Sequence, residues 1–183
     1  METVMEIDEF WRIVETARQQ PGPVDEALVD LLAARSPQEV IGYQRQFDLL
    51  HRAVYRWDLW AAAHLLEGGC SDDGFTDFRA GLIVQGRDWY EKAARSPDSL
   101  ADHPAVLADA PDGDCFEFSR EAVGYAAARA YERLTGDRDD FYAATSRTPA
   151  ERAAAEAGLG KQFDFEDDAE LARHLPRLAA LYR

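Results

Sequence analysis

Val24, Ala27, Leu28, Leu31 and Leu32 fall at i, i+3, i+4, i+7 and i+8. That spacing gathers the apolar side chains on one face of an α-helix and would scatter them over both faces of a strand. Phe10, Trp11, Ile13, Val14 and Ala17 form a second stripe, which predicts a helix over residues 8–18 ended by Gln20-Pro21-Gly22-Pro23. Only Phe116–Phe118 and Phe163–Phe165 alternate, and both runs are too short to make a strand. No segment repeats at a fixed period, so nothing supports a solenoid. The expected fold is all-α: one domain over residues 1–183, a compact irregular bundle of roughly seven helices with one long acidic loop.

Capping chemistry marks the helix starts. In Ser36-Pro37-Gln38-Glu39 the serine can cap, the proline suits the first helical position and the glutamate can reach back. The helix that follows carries Val40, Ile41, Phe47, His51 and Val54 and runs to about Tyr55. Asp58 to Glu67 reads as an alanine-faced helix closed by Gly68-Gly69. Asp72 or Asp73 is expected to cap the next one, with a stripe of Phe75, Phe78, Arg79, Leu82, Ile83 and Gly86. Arg87, Trp89, Tyr90 and Ala93 continue or restart that helix as far as Arg95. Residues 96–116 read as the long acidic loop, interrupted by a short helix at 105–108. Phe118 to Thr135 returns to helix, with Gly136 to close it. Thr148-Pro149-Ala150-Glu151 repeats the capping signature ahead of an alanine helix that stops at Gly158. After an acidic patch at 164–170 comes a last helix with Leu171, Leu175, Leu178 and Leu181, which Pro176 must kink or split.

The charge balance narrows the partners. Thirty-five acids against 20 bases give a net charge of -15. Such a surface repels phosphate backbones, so no nucleic acid is expected; it either favours a basic protein or peptide as partner or serves solubility alone. Two cysteines make no disulfide framework and point to a reducing cytoplasm. The opening residues lack the basic and apolar regions of a signal peptide, and no apolar run approaches the roughly 20 residues of a membrane span. The 18 arginines, two lysines and abundant alanine suit a GC-rich bacterial genome.

The stretch from Trp57 to Glu91 holds three of the four tryptophans and a cysteine. The candidate site residues all lie in it: Trp60, Cys70, Asp72, Asp73, Arg79, Gln85 and Arg87. At Cys70-Ser71-Asp72-Asp73-Gly74, helix-start N–H groups can bind an anion, and Cys70 can act as a nucleophile if its pKa is lowered there. The plainer reading of the same residues is a capping turn with a packed cysteine, and the paired aspartates repel an anion. Arg79 lies within an apolar stripe, where a buried guanidinium needs a partner. Asp58, Asp72, Asp73 or helix-end carbonyls can supply one. Arg79 and Arg87 are two turns apart, so on a continuous helix they share a face. They then either join an ion-pair network or grip a ligand's carboxylate or phosphate, with Gln85, Trp60 and Trp89 around it.

No metal or cofactor is expected. His51, His64, His103 and His174 form neither an H-x-x-x-H pair nor an H-E-x-x-H motif. Asp109, Asp112, Asp114 and Glu117 do not have the spacing of an EF-hand loop. There is no P-loop, dinucleotide fingerprint or G-x-S-x-G.

Asp58-Leu59-Trp60-Ala61-Ala62-Ala63, Gly68 through Phe75, Phe78-Arg79 and Gln85-Gly86-Arg87 resemble the bacterial family called domain of unknown function 4240. Asp8-Glu9-Phe10-Trp11, Pro97 to Asp102, Ala130-Tyr131-Glu132, Thr135-Gly136 and Leu175-Pro176-Arg177-Leu178 extend the likeness over most of the chain. The resemblance implies a small, mostly helical bacterial domain and brings no activity and no catalytic residue. The leading expectation is a non-catalytic, accessory or immunity-like module that binds a protein or peptide. The alternative is an enzyme or small-molecule binder with a polar site at the Gly68–Arg87 turn and helix.

Overall fold

Helix starts follow the capping chemistry. In the computed structural model, which describes residues 5–110 and 115–182, every regular element among the described residues is a helix. The first three are α1 (Ile7–Arg18), α2 (Val24–Ala33) and α3 (Pro37–Ala53). Ser36 Oγ accepts the Glu39 N–H at 3.3 Å while the Glu39 carboxylate accepts the Ser36 N–H at 3.0 Å, so the capping box is closed both ways. α4 (Trp57–Leu66) ends where Gly68 takes a positive φ of 65° and Gly69 N–H turns back to His64 O at 2.8 Å. α5 (Asp72–Ile83) is capped by Ser71, whose Oγ accepts the Gly74 N–H at 3.1 Å. Asp72 and Asp73 therefore lie one step inside the helix, in its first turn, and are not its cap. Gly86, at a φ of 97°, stops α5 from running on, and α6 (Arg87–Arg95) restarts after it.

The long acidic loop is largely helical. Pro97–Asp102 is a 3-10 helix and α7 spans Pro104–Asp109. Pro97 and Pro104, which read as loop markers, each take a helix's first position, where the missing N–H costs nothing. The aspartates masked an apolar minority: Leu100 and Val106 are completely buried and Ala101 nearly so.

The expected 118–135 helix starts later and breaks at Tyr125 into α8 (Glu121–Gly124) and α9 (Ala126–Thr135), closed by Gly136 at a φ of 76°. α10 (Arg138–Thr145), capped by Asp137, had no counterpart in the sequence reading. α11 (Pro149–Ala157) has the second closed capping box, between Thr148 and Glu151. α12 (Asp168–His174) and α13 (Pro176–Leu181) are the last helix split at Pro176. The thirteen α-helices among the described residues exceed the expected seven because Gly86, Tyr125 and Pro176 divide longer stretches and the acidic segment adds its own.

α2 is covered by α1 and α9, and α9 also rests on α3 and α10. Leu28, Val29 and Leu32 of α2 are fully buried there. Each contributes about 1.5–3 kcal/mol of apolar burial. Arg129 pairs with Asp25 at 3.3 Å and Glu26 at 2.7 Å, and Arg133 with Asp30 at 2.7 Å, along the edge of the α2–α9 seam. α5 packs on α3 and α8, and Gly81 lets the chain at Phe118 press directly onto it. A Cβ at Gly81 would sit 1.7 Å from the Phe118 carbonyl oxygen, so any side chain there forces the two segments apart. That close approach fixes the position of α5 and with it the site.

Candidate functional site

Asp72, Thr76 and Arg79 stand at i, i+4 and i+7 and form one face of α5, turned toward the end of α3. Arg79 is only 7 % exposed. Its Nε donates to Phe75 O at 3.2 Å, Nη1 to His51 O at 2.9 Å and to His51 Nδ1 at 3.1 Å, and Nη2 to Thr76 Oγ1 at 3.2 Å. The guanidinium lies over the rings of Tyr55 and Phe75, 4.6 and 4.9 Å from their centroids. Helix-end and helix carbonyls, not carboxylates, are its partners: Asp58 binds Arg56 instead, and no carboxylate among the described residues comes within 4.0 Å of Arg79. Burial pushes the Arg79 guanidinium down to about 10, still well above neutrality.

His51 is fixed in one tautomer. Nε2 lies 2.9 Å from Thr76 O, and since a carbonyl only accepts, Nε2 carries the proton. Nδ1 is then the acceptor for Arg79. Burial first, and the neighbouring Arg79 charge second, push the imidazole down to about 3. It is neutral at every ordinary pH.

Beside this pair opens a cavity of about 290 Å³. The end of α3 contributes His51, Arg52 and the following Tyr55; α5 contributes Asp72, Asp73, Thr76 and Arg79; Arg147 and α11 close the far side with Arg152, Ala155 and Glu156. Four arginines thus line one small space, together with Asp72, Asp73 and Glu156, in a protein of net charge -15. Arg52 approaches Glu151 only to 3.9 Å, and Arg152 donates to the Arg147 carbonyl at 2.7 Å. Among the described residues, neither Arg79 nor Arg147 has a carboxylate within 4.0 Å, and neither Asp72 nor Asp73 has a guanidinium that close.

The remaining candidates do not join this cavity. Trp60 stacks on Phe75 and Trp57, with ring centroids 4.9 and 5.2 Å away, and its indole N–H donates to Cys70 O at 2.9 Å. It stands behind the Phe75 ring that backs Arg79. Cys70 is half-buried, and burial, then the adjacent Glu67, push its thiol up to about 12. Glu67 itself is pushed up to about 7 by burial. A thiol so protonated is a poor nucleophile. Gln85 is buried at the α5–α6 turn. Arg87 points elsewhere: it reaches Asp8 and Glu91, both at 2.8 Å, while its backbone N–H donates to Glu15. Arg79 and Arg87 do not share a face because Gly86 breaks the helix between them.

The histidines serve packing and capping. His103 Nδ1 accepts the Ala105 N–H at 3.2 Å, and its ring meets Trp89 and Phe118. His64 lies 3.5 Å from Glu166, and His174 stacks on Phe163. No group of three metal-ligating side chains occurs among the described residues. Of the acidic set that superficially resembles a calcium loop, Asp112 and Asp114 lie outside the described residues, and Glu117 pairs with Arg120 at 2.9 Å. No helix among the described residues is long and apolar enough to cross a membrane.

Sequence reasoning missed Arg52, Arg147, Arg152 and the pairing of His51 with Arg79. The capping box after Arg147 marked a helix start, but nothing in the sequence placed residues 147–156 against residue 79.

The family described as "Protein of unknown function (DUF4240)" matches residues 5–133. That span includes the α3 and α5 walls of the cavity, whereas Arg147, Arg152, Ala155 and Glu156 follow it. No curated protein and no solved structure matches the chain. With the match covering well over half of its length, the chain belongs to the DUF4240 family.

Proposed function

We propose that this is a non-catalytic binding domain whose site is the arginine-lined cavity between α3, α5 and α11, where the anionic group of a small ligand docks. The observation that carries the reading is Arg79: a guanidinium more than nine-tenths buried, charged, without a carboxylate partner, and bordering a cavity shared with Arg147. An anion there gains charge-assisted hydrogen bonds, which are stronger than neutral ones, from the buried Arg79 and the exposed Arg147. The volume suits a small molecule. The non-catalytic part rests on two groups. Cys70 is protonated and outside the cavity, and His51 has both ring nitrogens engaged.

The net charge of -15 supports a basic protein or peptide partner. The best surface for one is the groove of α1 and α3 around Glu6, Asp8, Glu9 and Glu39, but Arg12 and Arg35 already pair with Glu9, and Arg35 also binds Glu39. The cavity is therefore the better-supported site.

The test is thermal unfolding at fixed ionic strength with inorganic phosphate, small carboxylates and the protein amino acids, using wild type and Arg147→Ala. Arg147 is chosen because it is less involved in the core than Arg79. A saturable rise in Tm with at least one anionic probe, lost in the variant, is expected. No saturable response to any probe sinks the proposal.

A further inference from the structure

Four charged groups on the cavity wall, two of each sign, form no ion pair with one another, and Arg147 feels Asp48 and Glu151 only from beyond 4.0 Å. Arg79 and Arg147 lack a carboxylate within 4.0 Å among the described residues, and Asp72 and Asp73 lack a guanidinium, although all four line one space. Arg35, Arg56, Arg87, Arg129 and Arg133 pair with acids elsewhere in the fold, whereas here the two signs stay apart. It rests on the register of α5. The Arg79 side chain leans back toward the helix N-terminus, as helical side chains do, and Nη2 is held by Thr76 Oγ1 at 3.2 Å. Thr76 Oγ1 is held in turn by donating to Asp72 O at 3.1 Å. The guanidinium therefore sits level with Thr76, one turn or about 6 Å along the helix from Asp72. An amino acid with a hydrogen bond at each end spans such a gap, and Tyr55 and Ala155 give its side chain apolar surface.

Resting on the anion-binding reading above, we infer that the cavity's ligand is a zwitterion, an amino acid or short amino-carboxylate with its carboxylate toward Arg79 and Arg147 and its ammonium toward Asp72 and Asp73. A simple anion would leave the aspartates unpaired and would be repelled by them; a simple cation would meet the arginines. Only a ligand with both charges satisfies both sets. Asp72 and Asp73 also favour the positive end of α5, but that role needs no arginine-lined cavity beside them.

The test is titration calorimetry with the protein amino acids. Each binder is compared with the same molecule lacking the amino group and with its carboxamide, and inorganic phosphate is the plain anion. At least one amino acid is expected to bind about tenfold or more tightly than both of its analogues, the effect of one charge-assisted bond at each end. In an Asp72→Asn, Asp73→Asn protein that preference disappears while binding of the des-amino carboxylate is kept or improved. Ser71 still caps α5 in that protein, and circular dichroism melting checks that the helix remains. If des-amino acids or phosphate bind as well as any amino acid, the zwitterion is excluded and the anion site stands. If no probe binds at all, both readings fall.

Discussion

Arg79 Nη1 donates to the main-chain carbonyl of His51 at 2.9 Å and to Nδ1 of the same residue at 3.1 Å, so one arginine closes both the backbone and the side chain at the end of α3. The backbone alone would leave this end open. Tyr55 N–H, the usual donor to His51 O, bonds to Arg52 O at 3.0 Å instead. One residue earlier, Leu50 O is taken by the Tyr90 hydroxyl at 2.6 Å. Side chains from α5 and α6 thus finish α3, and the cavity sits against that finished end.

Removing the guanidinium should be expensive. Arg79→Met keeps most of the apolar stem but leaves His51 O and Nδ1 without their donor in a buried place, a loss of about 3 kcal/mol. Arg79→Lys retains the charge but cannot reach His51, Phe75 and Thr76 together, so it should recover only part of the loss. Arg87→Ala, which removes only exposed pairs, should leave the urea midpoint unchanged. Denaturant unfolding of the three variants checks the order, and equal midpoints for Arg79→Met and wild type would contradict the network.

The same network gives stability a pH dependence. His51 titrates near 6.5 when unfolded and is pushed down to about 3 when folded. Between those values the unfolded chain binds the extra proton, so the contribution of His51 is full above about pH 6.5 and falls as the pH is lowered toward 3. The slope from one such group is at most about 1.4 kcal/mol per pH unit. Glu67, raised to about 7 by burial, acts the other way: its contribution is full below the ordinary glutamate range and is lost as the pH rises toward 7. In His51→Gln, whose amide can still donate to Thr76 O, the acid-side loss should shrink. Urea midpoints measured from pH 4 to 8 in both proteins test this, and an unchanged acid limb would remove His51 as its cause.

The sequence made the helices legible because caps and apolar stripes are local. Ser36 with Glu39, Thr148 with Glu151, Gly136 and Pro176 all act within a few residues of where they stand. The candidate site was half legible. A charge at Arg79 inside an apolar stripe marks a buried guanidinium, but beyond Phe75 and Thr76 on its own helix its partner is His51 on α3. Asp72 and Arg79, two turns apart on one helix, were singled out from the sequence, whereas the cavity's far wall at Arg147 and Arg152 depends on how α10 and α11 fold back. Arg87 was misplaced because Gly86 reads equally well as a packing residue or as a helix break, and only its φ of 97° decides. The acidic segment was misread because composition outweighed Leu100 and Val106. A few buried side chains are enough to order a short helix when a partner receives them.

The Pro97–Asp102 helix lies against α6 and α13, and Asp98 makes the join to α13. Its carboxylate, in a residue only 9 % exposed, accepts the Arg177 N–H at 3.0 Å and the Leu178 N–H at 2.9 Å. These are the first free donors of α13, because Pro176 has none and Leu175 provides no side-chain cap. A residue remote in sequence thus acts as the N-cap of the last helix, and its negative charge suits the helix's positive end. Asp98→Ala should cost about 2 kcal/mol, since one buried and one part-buried N–H group lose a charged acceptor. Asp98→Asn keeps an acceptor and should cost about half as much. Asp102, close by and exposed, pairs with the Arg177 side chain. Asp102→Ala should leave the unfolding midpoint where it is, because an open ion pair is screened by water. Amide exchange at Arg177 and Leu178 separates the cases: Asp98→Ala should accelerate it at least about tenfold, in line with a loss above 1.4 kcal/mol, while Asp102→Ala should not. Equal exchange in the two variants would mean that α13 is held by its apolar contacts through Leu178 alone.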